Sequence, residues 1–410
     1  MTSRSGCRGP PTVKRSSRPP TPSPRPSRSA WGAHVIEAPG WADLPGAQDL
    51  VLTDVFAAAL AAVEGMPLGD ERARIGLGIE AGAEQVLLIL VDGLGYHPLL
   101  DALAYASTLR SFREDIRAIH TVAPSTTAAA ITAFGTGALP GTTRMVGYSV
   151  AHGGRAMNLL AFEGGPRPEQ WQEAPTRFEL LAARGVDSVV ISPASFAGSG
   201  LTRAALRGAR HRGAFSWDER CEAALHELRS GTPVVYLYWS EIDHAGHGHG
   251  VASDAWTTAL EHFDEGLGRL LMRLPSGVRT VMTADHGMVD VSSSRLRDLA
   301  CESALAEDVV LLAGETRALH VHARPGRAEA VRERWRDVLG DDAWVLAPDE
   351  AGALLGEGPG LDEIGDALVF MAGREGVVDS RVQPSAMIAM PGVHGSLTPE
   401  EMRIPVIRLS

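Results

Sequence analysis

Four short runs of apolar and β-branched residues decide what this chain can fold into: QVLLILVDG from Gln85, VDSVVIS from Val186, PVVYLYW from Pro233 and RTVMTADHG from Arg279. Their hydrophobicity is nearly continuous rather than alternating, and helical patterns lie between them. A strand that is apolar on both faces must be covered on both, and strands alternating with helices pair in parallel. The order therefore implies an α/β fold with a largely parallel, buried sheet. Three of the four runs end in acidic or histidine-bearing turns. In open α/β sheets ligands collect outside the carboxyl ends of the strands, so those turns are where chemistry is expected. The segment from about 300 to 385 differs in character: RALHVHA, GRAEAVRERWRDVLG and AWVLAPDEA suggest a small α+β insertion that returns to the main domain before MPGVHGSL. VFAAALAAV, between Asp54 and Glu64, reads as a buried or amphipathic helix, too short to span a membrane.

Residues 1–32 are rich in Pro, Ser and Arg with almost no apolar content. Such a segment cannot offset the entropy of ordering and is expected to be disordered. It lacks the apolar core of a secretory signal, so a cytoplasmic location is expected. Seven of the 38 basic residues fall in this tail, which has no acid, so all 50 acidic residues lie in the body. A body this acidic argues against a nucleic-acid surface, which depends on Lys and Arg. An anionic substrate would need positive charge from another source, and metal ions supply it directly. Lys14 is the only lysine, which excludes a P-loop or Schiff-base lysine. Cys7, Cys221 and Cys301 are too widely spaced for a disulfide framework or a zinc knuckle.

Five elements carry candidate chemistry. Asp92 follows the first strand and precedes Gly93 and Gly95, where backbone can approach a ligand; the plainer reading is a turn or helix-capping aspartate. In TVAPSTTAAAITAFGTG, the alanine-rich part should be helical, which puts Thr126 and Thr127 in its first turn, beside unpaired N–H groups and the positive end of the helix dipole. Ser125 or Thr126 acting only as a helix cap is the alternative. WSEIDHAGHGHG, from Trp239, reads as a glycine-rich turn crowded with ligand atoms, with Asp243 and His247 spaced to share one face of a helical turn and His244 and His249 less strongly placed. Asp285 and His286 directly follow a strand, and His394 lies between Val393 and Gly395 in MPGVHGSL. Singly each has a structural explanation; five such elements in one α/β chain point to a divalent-metal centre.

The ordered set D-G, P-S-x-T, D-x-x-x-H, D-H-G and H-G closely resembles the alkaline phosphatase superfamily, in particular its type I phosphodiesterase and nucleotide pyrophosphatase branch, from about Val86 to Ile407. The resemblance implies a three-layer sandwich around a largely parallel sheet, with residues 33–410 as the catalytic domain. It implies two divalent ions, zinc by ligand type: Asp92, Thr127, Asp285 and His286 would hold one, and Asp243, His247 and His394 the other. Imidazole nitrogen and carboxylate oxygen suit zinc, although manganese or iron bind the same groups. Thr127 would be the nucleophile, passing through a phosphothreonine intermediate. The implied activity is hydrolysis of phosphodiester or phosphoanhydride bonds in a small phosphoester, a nucleotide among the candidates.

Relatives of this kind carry an asparagine soon after a TGxxPxxHG element, where it grips a phosphate oxygen. Here TGALPGTTRMVGYSV has Thr143 and Arg144 in place of His-Gly and no asparagine; the only one in the chain is Asn158. The alternatives are therefore a phosphomonoesterase or phosphonate hydrolase of the same superfamily, or a metal-binding scaffold without turnover. No cysteine lies near Thr127, which argues against a sulfatase. Arg203, Arg207, Arg210 and Arg212 either grip a second phosphate or line a solvated helix.

Overall fold

A computed structural model of the chain describes residues 37–410. The tail of residues 1–32, expected to be disordered, lies outside the described residues. Seven strands form the central sheet in the order Ile116–His120, Arg403–Arg408, Val278–Ala284, Gln85–Val91, Val234–Trp239, Ser188–Ser192 and Arg210–Gly213. The four apolar runs supply its middle and much of one flank. All neighbouring pairs are parallel except those made by Arg403–Arg408, which runs against both its neighbours.

Alternation along each strand sends successive side chains to opposite faces, which explains the continuous apolar runs. Within Val234–Trp239, Tyr236 meets the rings of Phe134 and Phe178 on one face, and Trp239 meets Trp217 and Phe263 on the other. Helices Leu52–Leu60, Thr127–Thr136 and Arg177–Ala182 thus cover one side, where Phe56 touches both Phe134 and Phe178. Trp217–Arg229 and Asp254–Leu271 cover the other. Reciprocal capping pairs, Thr176 with Glu179 and Ser216 with Glu219, start two of these helices. The VFAAALAAV segment lies within and beyond Leu52–Leu60, a helix buried almost all round.

Residues 309–371 build a second, antiparallel sheet, ordered Val309–Glu315, Ala318–Ala323, Ala367–Met371 and Ala343–Leu346. Helix Ala328–Leu339 packs Val331, Trp335 and Leu339 against it in a separate apolar cluster. The Arg317 guanidinium, in the turn between its first two strands, forms a fully buried two-point bridge to Glu401 at 2.7 and 3.1 Å. This clasp ties the small sheet to the segment that leads into the last strand of the large one. No helix among the described residues is long and apolar enough to cross a membrane.

Strand register sets up the site. Val91 pairs with Trp239 on one side and Ala284 on the other, so the chain leaves all three strands at the same level. Asp92, Ser240 and Asp285 emerge side by side at the carboxyl edge of the sheet.

Candidate metal centre

Asp92 accepts a short hydrogen bond on Oδ2 from the Tyr238 hydroxyl, and Asp285 accepts on Oδ1 from the backbone N–H of Gly93 (3.1 Å) and of His286 (3.0 Å). Each carboxylate thus keeps one oxygen without a hydrogen bond, Asp92 Oδ1 and Asp285 Oδ2, and Asp243 Oδ1 is a third. All three atoms are buried. Asp92 does not cap a helix: the next one, Tyr96–Asp101, begins at Gly95. Gly93 has φ 70°, and a Cβ there would come within 2.9 Å of the Asp243 Cβ, so glycine is what lets Asp243 close on Asp92.

The segment expected as a glycine-rich turn is instead a helix, Glu241–His249. Glycine and histidine favour helix weakly, and tertiary contacts decide the outcome. Gly246 lies against Met288, and a side chain on Gly392 would strike the Gly246 carbonyl, so the two glycines allow the helix and the His394 segment to touch. One helical turn then puts His247 Nε2 3.4 Å from Asp243 Oδ2, while His247 Nδ1 meets the Gly392 carbonyl at 2.8 Å. His244 and His249 are exposed.

His286 and His394 stack with ring centroids 3.8 Å apart. Each Nδ1 faces a carbonyl, Gly287 at 3.0 Å and Ser125 at 3.1 Å, which as donor fixes the tautomer and leaves Nε2 with a lone pair. His286 Nε2 lies 3.4 Å from Asp92 Oδ1, 3.5 Å from Asp285 Oδ2 and 3.1 Å from Thr127 Oγ1; His394 Nε2 lies 3.9 Å from Asp243 Oδ1. Two groups bring their ligand atoms within 4.8 Å of one another: Asp92, Asp285 and His286, and Asp243, His286 and His394. His286 is common to both, and His247 stands beside Asp243 at the edge of the second.

Burial, then the neighbouring Asp285 charge, pushes the Asp92 carboxyl well above its ordinary range. Burial pushes Asp243 and Asp285 up to about 7, with Asp92 reinforcing the shift at Asp243. Burial also lowers His286, and lowers His394 further because two imidazoles surround it. Crowded carboxylates with unpaired oxygens and neutral imidazoles are the donor set a divalent cation satisfies, so the residues fit such ions.

Thr127 opens helix Thr127–Thr136 and is partly exposed. Neither hydroxyl before it caps the helix: Ser125 Oγ donates to the Ser396 carbonyl at 2.6 Å, and Thr126 Oγ1 to Glu315 Oε2 at 3.0 Å. The first-turn N–H groups therefore retain their capacity for an anion beside Thr127 Oγ1. Glu315 is a site neighbour that sequence reasoning missed. It ends the strand Val309–Glu315, lies 3.5 Å from His394 Nδ1, and keeps Oε1 without a hydrogen bond. Only the return of the small sheet brings it there, and no local motif marks it. Tyr238 was missed too, hidden in an otherwise apolar strand. The four arginines are committed elsewhere: Arg203 to Glu169, Arg207 to Glu179, Arg210 to Asp187 and Glu227, and Arg212 to Glu227.

The sheet and the cluster at its carboxyl edge together define a hydrolase of the alkaline phosphatase superfamily. The chain belongs to the type I phosphodiesterase / nucleotide pyrophosphatase family, whose model matches residues 86–366. Among solved structures, murine ectonucleotide pyrophosphatase / phosphodiesterase 5 superposes with TM-score 0.63 at 16% identity, covering 79% of this chain and 88% of that one. Its inactive threonine-to-alanine form in complex with AMP gives 0.64 at 15%, covering 79% and 87%. Phosphonoacetate hydrolase from Sinorhizobium meliloti 1021, in complex with phosphonoformate, gives 0.62 at 18%, covering 79% and 89%.

Proposed function

We propose that this chain hydrolyses phosphodiester or phosphoanhydride bonds of a small anionic substrate, with nucleotides as the first candidates, using Thr127 as nucleophile and two divalent cations, zinc by ligand type. Asp92, Thr127, Asp285 and His286 would hold one ion; Asp243, His247 and His394 would hold the other. The observation that carries this reading is the convergence of three unpaired buried carboxylate oxygens with two imidazole Nε2 atoms next to the hydroxyl of Thr127. When bound, such ions neutralise the carboxylates, polarise phosphoryl oxygens and make a hydroxyl or water nucleophilic near neutral pH.

The chain's own residues supply the rest. Thr127 Oγ1 attacks phosphorus, forming an Oγ1–P bond as the bond to the leaving oxygen breaks, and its proton passes through solvent to that oxygen; water then cleaves the phosphothreonine, its oxygen staying on phosphorus and one of its protons restoring the Thr127 hydroxyl. The helix start orients the phosphoryl group, and the carbonyls of Ser125, Gly287 and Gly392 hold the three imidazoles in place. The relative inactive without its threonine, and its complex with AMP, support the nucleophile and the substrate class.

Bis-p-nitrophenyl phosphate and p-nitrophenyl phosphate should be compared with chelator and with added zinc. Zinc-dependent turnover with diester preference is expected. Monoester preference would transfer the assignment to a phosphomonoesterase, and no turnover by the metal-loaded protein would leave a binding scaffold. A phosphonate hydrolase is the second reading, supported by the absence of an asparagine from TGALPGTTRMVGYSV.

A further inference from the structure

With Arg203, Arg207, Arg210 and Arg212 engaged and no lysine beyond residue 14, a neutral donor opposite the metal face is a candidate grip for a substrate phosphate. We propose that Tyr148, set by Asn158, is that donor; the inference rests on the site reading above and names the residue that grips the substrate. Asn158 Nδ2 donates to the Tyr148 hydroxyl oxygen at 2.7 Å. The phenol accepts there, so its own hydrogen is turned outward for another acceptor. Asn158 is itself immobilised, because its Oδ1 accepts from the backbone N–H of Leu160 at 2.6 Å and Ala161 at 3.4 Å.

The segment carrying Tyr148 is fastened to the small sheet on the side of the metal centre. His320 is buried, its Nε2 meets the Val146 carbonyl at 3.1 Å, and its ring lies where a side chain on Gly147 would begin. Ser149 Oγ donates to the Gly314 carbonyl at 2.8 Å. The Tyr148 backbone lies beside the carboxylate of Glu315, the same group that accepts from Thr126 Oγ1 and faces His394. One carboxylate therefore links Tyr148 to the residue immediately before Thr127. Tyr148 is partly exposed.

Asn158 thus answers the question raised by the missing asparagine indirectly: it aims a tyrosine. A phenolic O–H to an anionic oxygen is a charge-assisted hydrogen bond, whose loss weakens binding on the order of 10- to 100-fold.

The test uses zinc-loaded wild type, Tyr148→Phe and Asn158→Asp, titrated calorimetrically with inorganic phosphate and AMP, beside kcat and KM for bis-p-nitrophenyl phosphate. Tyr148→Phe should weaken binding of both probes and lower kcat/KM by that factor, with zinc content and Tm unchanged. Asn158→Asp preserves the acceptor for Leu160 but draws the phenol's hydrogen inward, and should weaken binding as well. Wild-type affinity in Tyr148→Phe overturns the inference, and so does a loss that accompanies loss of zinc, which marks a structural role. Wild type that binds and turns over while Tyr148→Phe matches it sinks only this inference; wild type that neither binds phosphate nor turns over sinks the site reading, and this inference with it.

Discussion

Asp92, Asp243 and Asp285 bring three carboxyl groups into one buried space, an arrangement that is unfavourable without a counter-charge. This gives a signed prediction. Folded-state values of about 7 for Asp243 and Asp285 lie above the unfolded carboxylate value of about 3.9. In chelated protein their contribution to stability is therefore fully present below about pH 4 and is lost as pH rises toward about 7. Melting of chelated protein should show Tm falling across this window, and zinc should raise Tm more at its upper end, where the carboxylates are deprotonated. A zinc-induced rise in Tm that is independent of pH would contradict it. His394→Ala removes one Nε2 from the Asp243 group and should lower zinc stoichiometry toward one per chain, measured by equilibrium dialysis. Unchanged stoichiometry would remove His394 from the ligand set. The acids and histidines of the cluster were legible one at a time, because each stands at a strand end or beside glycine, or, for Asp243, four residues before His247. Glu315, Tyr238 and Tyr148 were not, because their relation to the cluster depends on which backbones pair.

At the scale of elements, the four apolar strands were legible because burial on both faces leaves a continuous signature. Strand Arg403–Arg408 was harder to read, since a proline ordinarily demotes a run to an edge. Pro405 is accommodated because pairing with Val278–Ala284 starts only at Val406. Helix Glu241–His249 was read as a turn because its composition opposes helix and its stability comes from packing on the Met288 side chain and the Gly392 backbone. Gly392→Ala should push this helix away from His394. The expected cost is roughly 1–3 kcal/mol in urea unfolding, as for other overpacked contacts, together with weaker zinc binding. An alanine variant with wild-type stability and zinc affinity would show that the close approach is dispensable.

Across the whole molecule, the site forms where the carboxyl edge of the large sheet meets the small one. Its members come from segments as far apart as Asp92 and His394, so their convergence follows from strand order and from the clasp between Arg317 and Glu401. Replacing one partner of a buried ion pair leaves the other charge uncompensated, so Arg317→Ala should destabilise the protein by about 3–5 kcal/mol. Chemical unfolding measures this, and a loss below about 1 kcal/mol would mean the clasp is not holding the two sheets. Composition points the same way: an acidic body that takes an anionic substrate needs local positive charge, for which bound cations are the proposed source. The most direct test is to follow hydrolysis of bis-p-nitrophenyl phosphate against bound zinc per chain in wild type and Thr127→Ala. Turnover should appear as the second equivalent binds to wild type and be absent from Thr127→Ala holding the same two ions. Turnover near the wild-type rate in Thr127→Ala, or activity in wild type stripped of metal, would contradict the account.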